Sequence, residues 1–243
     1  MTTDFVSLCL VVVSATNSVR ETWRRGAGLA SVPIDFFGGD AAEARARLAK
    51  GGIDLLILDA ALPENELAGL VAAAKTSAPR PFVIGAGSKS RMEGLDATVA
   101  KPADNEGARL LVERCVKTRL PQRLLIVDDS GTMRGIVRKI LSASRYALQV
   151  SEAEEGIGAL KKLNETAVDI VMLDYNMPGF NGLETLAEIK RLAPKVSVIM
   201  MSSTLDSAVA ERAQAQGAAF LKKPFYPADV DAIFDRLYGF TAS

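Results

Sequence analysis

"RLLIVDDSGTMRGIV" (residues 123–137) joins an apolar run to two adjacent carboxylates and then to a helix-forming segment. Leu124 to Val127 read as a buried strand, and residues 131–144 as a helix. Between them stand Asp128 and Asp129. Neighbouring like charges repel, and burial makes ionising both costly. A core strand that ends in such a pair needs a partner of opposite charge to hold it.

Moving outward, the stretch proves to be half of a repeat. "LLIVDDSGTMR" (124–134) matches "LVVVSATNSVR" (10–20) at an offset of 114. "DIVMLDYNMP" (169–178) matches "DLLILDAALP" (54–63) at an offset of 115, aligning Asp174 with Asp59 and Pro178 with Pro63. "FLKKPF" (220–225) matches "TVAKPA" (98–103) at an offset of 122, aligning Lys223-Pro224 with Lys101-Pro102. Three landmarks in one order imply two homologous domains, residues 1–119 and 120–243. They meet near "KTRLPQR" (117–123), where Pro121 stops a helix.

Each half alternates short apolar runs with helix-period segments. In the second, strands are expected near 123–128, 147–151, 168–173, 196–201 and 218–221, with helices near 131–144, 153–164, 181–193, 206–216 and 227–239. In the first, strands are expected near 6–13, 32–37, 54–58, 81–85 and 97–100. Runs such as "DIVML" and "VSVIMM" are apolar on both faces, as in a parallel sheet. The fold class is α/β: two tandem (βα)5 doubly wound domains with central parallel sheets.

Composition narrows the chemistry. The chain has 243 residues, and 29 basic side chains balance 29 acidic ones, evenly in each half, so nothing recommends nucleic acid as a partner. The longest apolar run near the start, Leu8 to Val13, is too short to cross a bilayer, and no basic segment precedes it. Cys9 and Cys115 read as buried free thiols in a reducing, cytoplasmic setting. The chain contains no histidine, which excludes a Ser-His-Asp triad, a histidine-ligated zinc and a histidine base.

In an open parallel sheet, ligands bind beyond the carboxyl ends of the strands. Asp128 and Asp129 end one strand and Asp174 another, so three carboxylates converge there. A hard divalent cation such as magnesium removes the penalty of that cluster. Taken alone, the acid pair could instead cap the following helix. Lys223, at the end of the fifth strand, places an ammonium beside the acids, able to pair with Asp174 and later with a phosphoryl oxygen.

With these elements in register, the second half resembles the receiver domain of two-component response regulators, and "LIVDDSGTMRGIV" is similar to the single-domain chemotaxis regulators. The resemblance implies a flavodoxin-like fold and phosphoryl transfer from a histidine kinase or a histidine phosphotransfer protein. It makes Asp174 the phosphoacceptor. Asp128 and Asp129 would position Mg²⁺ with Asp174 and the backbone carbonyl of Asn176. It further implies that Lys223 binds phosphate, that Ser202 is the switch hydroxyl, and that Phe220 stands where the switch aromatic does. Phe220 would move inward on phosphorylation, changing the partner preference of the face made by the fourth helix, fifth strand and fifth helix.

The first half departs from that pattern. Ser14-Ala15 replace the acid pair, Gly87 falls at the switch hydroxyl and Thr98 at the switch aromatic, while Asp59 and Lys101 remain. The longer final offset means that seven residues are missing between its fourth and fifth strands, shortening or removing the fourth helix. This half reads as a degenerate receiver that is not phosphorylated, serving either as a docking or homodimerisation module or as a vestigial duplicate. "GGD" at 38–40 lies in a strand-to-helix turn, "RRGAG" (24–28) ends a helix, and Trp23 reads as a partly buried aromatic.

The expectation is a response regulator with no DNA-binding or enzymatic output domain, signalling to a downstream protein. It would be no enzyme beyond assisting its own phosphorylation and dephosphorylation. Two other readings stay open. One is a magnesium-dependent hydrolase or phosphatase with an aspartyl-phosphate intermediate, against which Asn176 stands where such enzymes carry a second Asp. The other is a phosphorylation-independent scaffold.

Overall fold

The computed structural model describes residues 7–87, 93–203 and 207–240. The backbone divides into two compact units, Met1–Leu120 with Tyr238–Ser243, and Pro121–Leu237. Each is built on a five-stranded parallel sheet.

In the first unit the strands are β1 (Leu8–Val13), β2 (Ile34–Gly39), β3 (Leu55–Asp59), β4 (Phe82–Ala86) and β5 (Ala97–Val99). They lie in the order β2-β1-β3-β4-β5 and every pairing is parallel. The second unit repeats the arrangement with β6 (Gln122–Val127), β7 (Leu148–Ala153), β8 (Ile170–Asp174), β9 (Ser197–Ser202) and β10 (Ala219–Lys222), ordered β7-β6-β8-β9-β10. Strand order reverses beside the first strand of each sheet, which opens a crevice at the strand ends.

The apolar runs explain the layering. Every residue of β1, β3, β4 and β8 is buried, because helices cover both faces of the central strands. The edge strand β7 instead alternates exposed and half-buried residues along "LQVSE". On one face of the second sheet, Leu125, Val127, Val171, Leu173, Val198 and Met200 pack against Leu186 and Ile189 from the helix α7 (Gly182–Leu192). Each such side chain contributes roughly 1.5–3 kcal/mol on burial.

The helices of the first unit are α1 (Asn17–Gly28), α2 (Ala41–Lys50), α3 (Glu64–Thr76) and α4 (Asn105–Lys117). Those of the second are α5 (Gly131–Ser142), α6 (Gly156–Glu165), α7, α8 (Ser207–Ala215) and α9 (Pro227–Leu237). No helix among the described residues is long and apolar enough to cross a membrane. The shortened connection of the first half is visible: Gly87 and Glu93–Asp96 form no helix where the second unit carries α8, and residues 88–92 lie outside the described residues.

One detail differs from the sequence reading: Trp23 is completely buried rather than partly so. "RRGAG" does end α1, at Gly28, and a Cβ on Gly26 would meet Ala108 Cβ of α4 at 2.6 Å, so that glycine lets the two helices close together. Asp40 of "GGD" caps α2, accepting from the Ala42 and Glu43 amides while the Glu43 side chain accepts from the Asp40 N–H. Both cysteines are buried free thiols.

Candidate functional site

The site of the second unit lies at the carboxyl ends of β6, β8 and β10. Asp128 follows β6 and is 1 % exposed; Asp174 closes β8 and is 5 % exposed; Asp129 is exposed. One oxygen from each of the three carboxylates lies within 4.8 Å of the others.

The ammonium of Lys223 sits between the two buried acids. Its Nζ donates to Asp128 Oδ2 and to Asp174 Oδ1, both at 2.8 Å. The Lys223 backbone is fixed by its N–H, which donates to the Ser202 carbonyl at 2.8 Å. The sequence pointed to Asp174 as a partner for this lysine; the equal bond to Asp128 was not foreseen. The remaining carboxylate oxygens are held by backbone amides. Asp128 Oδ1 accepts from Ser130 N–H at 2.9 Å, and Asp174 Oδ2 from Asn176 N–H at 3.0 Å.

The helix-cap alternative for the acid pair fails on geometry. Ser130 is the N-cap of α5, its hydroxyl oxygen accepting from Met133 N–H at 3.3 Å. The acids are therefore left to face the crevice.

Burial is the largest influence on Asp174. It raises the carboxyl above the usual aspartate range, with the Asp128 charge adding to the rise, against the Lys223 ammonium and the Asn176 amide. Lys223 is raised too: burial opposes its charge, but the bonds to Asp128 and Asp174 outweigh it. Three carboxylates against one ammonium leave the cluster negative. The donors are all oxygens, and the charge deficit is that of a divalent cation. This set suits Mg²⁺, with Asp128, Asp129 and Asp174 as the residues that would hold it.

The loop that carries the acids is held from behind. Arg134 Nη1 donates to the Asp128 carbonyl at 2.9 Å, its Nε to Glu152 at 3.0 Å and its Nη2 to Glu154 at 2.7 Å. Sequence reasoning missed this arginine, although the repeat carried the signal: Arg20 is its match and donates to the Ser14 carbonyl in the first unit. Gly182 was missed as well. A Cβ on it would stand 2.6 Å from the Asp174 carbonyl oxygen, so only glycine lets α7 begin this close to the end of β8.

Ser202 is buried at the end of β9, beside the Asp174–Met201 pairing. Phe220 pairs with Met200 in the sheet and packs, half-buried, against the core. It borders an open groove with Pro224, Ile233 and Arg236.

The first unit builds the same corner from other parts. Asp59 is 3 % exposed, and its Oδ1 lies 2.6 Å from Lys101 Nζ and 2.8 Å from the Ala61 amide. Its Oδ2 accepts from the Ser14 hydroxyl at 2.7 Å. Burial opposes ionisation of Asp59, but the bonds from Lys101, the Ala61 amide and Ser14 together hold its carboxyl below the usual range. The sheet register sets Gly87 and Thr98 at the positions of Ser202 and Phe220.

Comparison with known proteins agrees with this geometry. Residues 124–235 match the family model of the response regulator receiver domain. The chemotaxis protein CheY of Listeria monocytogenes is 42% identical over 104 residues, which cover 42% of this chain and 87% of that protein. CheY of Thermotoga maritima is 36% identical over 110 residues, covering 45% of this chain and 91% of that protein. A solved structure of a probable two-component system response regulator/GGDEF domain protein covers 94% of this chain and 97% of its own, with a TM-score of 0.54 and 23% identity, and shares the fold. An acid nest closed by a lysine on a five-stranded parallel sheet, and a receiver match over the residues that build it, lead to one conclusion: the chain belongs to the response regulator receiver family of two-component signalling.

Proposed function

We propose that Asp174 accepts a phosphoryl group from a phosphohistidine on a partner kinase or phosphotransfer protein, and that the C-terminal unit then signals by altered protein binding. The observation that carries this reading is the environment of Asp174, a buried carboxylate between Lys223 and two further acids.

In the transfer, an Asp174 carboxylate oxygen attacks phosphorus in line. The P–N bond to the donor imidazole breaks, and its electron pair leaves with the ring nitrogen, which is then protonated. Asp128, Asp129, Asp174 and the Asn176 carbonyl would hold Mg²⁺, whose charge would offset that of the phosphoryl oxygens. Lys223, already at 2.8 Å from Asp174, moves one of its hydrogen bonds to a phosphoryl oxygen. Ser202 donates to another, and Phe220 turns inward, remodelling the groove along β10 and α9. Asn176 has no carboxyl to activate water, which favours a phosphoacceptor over a hydrolase that turns over.

The first unit, residues 1–119, serves as a receiver-like docking or self-association module that is not phosphorylated; residues 120–243 form the phosphorylatable domain. Acetyl phosphate with Mg²⁺, read by intact mass, tests the acceptor. One phosphoryl group should appear on the wild-type chain and vanish in Asp174→Asn. Undiminished labelling of Asp174→Asn refutes the assignment.

A further inference from the structure

The two units place a lysine-paired aspartate at the same sheet position yet complete its environment differently. In the C-terminal unit, Asp174 shares its lysine with Asp128, and the cluster stays negative. In the N-terminal unit, Lys101 pairs with Asp59 alone among the described residues, and the second oxygen of Asp59 meets the Ser14 hydroxyl.

We propose that Ser14 is a built-in substitute for the cation, plugging the N-terminal site so that Asp59 is closed to magnesium and to phosphodonors. This deepens the phosphoacceptor reading and rests on it. The geometry fixes the direction of the hydroxyl. Ser14 Oγ accepts from Thr16 N–H at 3.1 Å, which leaves its hydrogen to donate to Asp59 Oδ2 at 2.7 Å. Ser14 is fully buried, so water does not compete for that hydrogen. Lys101 and the Ala61 amide share Oδ1 of Asp59, which leaves Oδ2 to the Ser14 hydroxyl, whereas Oδ2 of Asp174 meets only the Asn176 amide among the described residues. The carboxylate is thus stabilised as an anion without metal. Phosphorylation requires a carboxylate oxygen to attack phosphorus while the bond to the leaving group breaks, and the oxygen not held by the lysine is the one the hydroxyl covers. Even the loop is retained, since Arg20 donates to the Ser14 carbonyl as Arg134 does to that of Asp128.

The test uses the full chain with Asp174→Asn to silence the other unit. Ala15→Asp adds a carboxylate at an exposed position that matches Asp129 and leaves the plug in place. Ser14→Ala/Ala15→Asp adds the same carboxylate and removes the plug. Both are treated with Mg²⁺ and acetyl phosphate, from which the P–O bond breaks and acetate leaves with the electron pair. Labelling of Asp59 is read by peptide mass and should be at least tenfold higher in the second variant. Equal labelling in the two, at any level, overturns the proposal. If thermal melts show that the second variant does not fold, Ser14→Cys/Ala15→Asp takes its place with the same expectation, the thiol being a weak donor. Wild-type chain in the same assay separates the failures. No label on Asp174 sinks the phosphoacceptor reading and the plug with it, whereas normal Asp174 labelling with equal Asp59 labelling sinks the plug alone.

Discussion

Replacing Lys223 by Met should weaken the fold and strengthen cation binding at once. The ammonium is 13 % exposed and bonds two carboxylates that are more deeply buried still. Removing one partner of a buried pair typically costs about 3–5 kcal/mol. The lower end applies, because the Asp174 carboxyl is already raised and takes up a proton more readily than an ordinary aspartate. A loss of about 3 kcal/mol in a domain of this size lowers Tm by roughly 10 °C. Saturating Mg²⁺ restores the missing charge, and whatever stability it recovers must appear as tighter binding. Full replacement of the ammonium corresponds to roughly 100-fold in Kd and half replacement to about tenfold. Thermal melts with and without Mg²⁺, and calorimetric titration of Mg²⁺, read the two quantities. Trp23, the chain's single tryptophan, is buried in the first unit and reports that unit separately, while Tyr146 and Tyr175 report the second. A Lys223→Met chain that melts like wild type without Mg²⁺, or binds Mg²⁺ more weakly, refutes this account of the site.

Gly182→Ala should destabilise the second unit by about 1–3 kcal/mol in denaturant titration and slow labelling of Asp174, because its Cβ would enter the Asp174 carbonyl at 2.6 Å. Asp129→Asn, at an exposed position, should leave the melting temperature within about 2 °C of wild type, since surface changes rarely exceed ~0.5 kcal/mol, while Mg²⁺ titration shows at least tenfold weaker binding. Asp59→Asn should flatten the acid limb of the first unit's stability, followed through Trp23. The Asp59 carboxyl is held below its unfolded value near ~3.9, so its contribution is complete above that pH and is lost as pH falls through the folded value. An unchanged acid limb in the variant removes Asp59 from the explanation.

What could be read in advance followed from local pattern. The central strands are apolar on both faces, so "LLIV", "DIVML" and "VSVIMM" declared themselves, and the repeat carried the reading into a first half that has lost the acid pair. Convergence of Asp128, Asp129 and Asp174 followed from their places at strand ends. Beyond the foreseen Lys223–Asp174 pair, contacts between residues far apart in sequence were not legible. Ser14 meets Asp59 across 45 residues and Lys223 meets Asp128 across 95, and neither pairing leaves a periodic trace. The need for glycine at Gly26 and Gly182 was not legible, because the backbones they admit come from elsewhere in the chain. The depth of Trp23 was underrated for the same reason: its arginine neighbours speak for the exposed side of the helix, not the side that packs.

The arginine behind each strand-end loop has one more consequence. Arg134 and Arg20 brace the backbone alike, although only one of the two loops carries the acid pair. Guanidinium–carbonyl bonding therefore braces the loop whether or not it carries an acid pair. On the proposed reading, a metal would meet a seat that the arginine already braces, so less of its affinity would be consumed in ordering the chain.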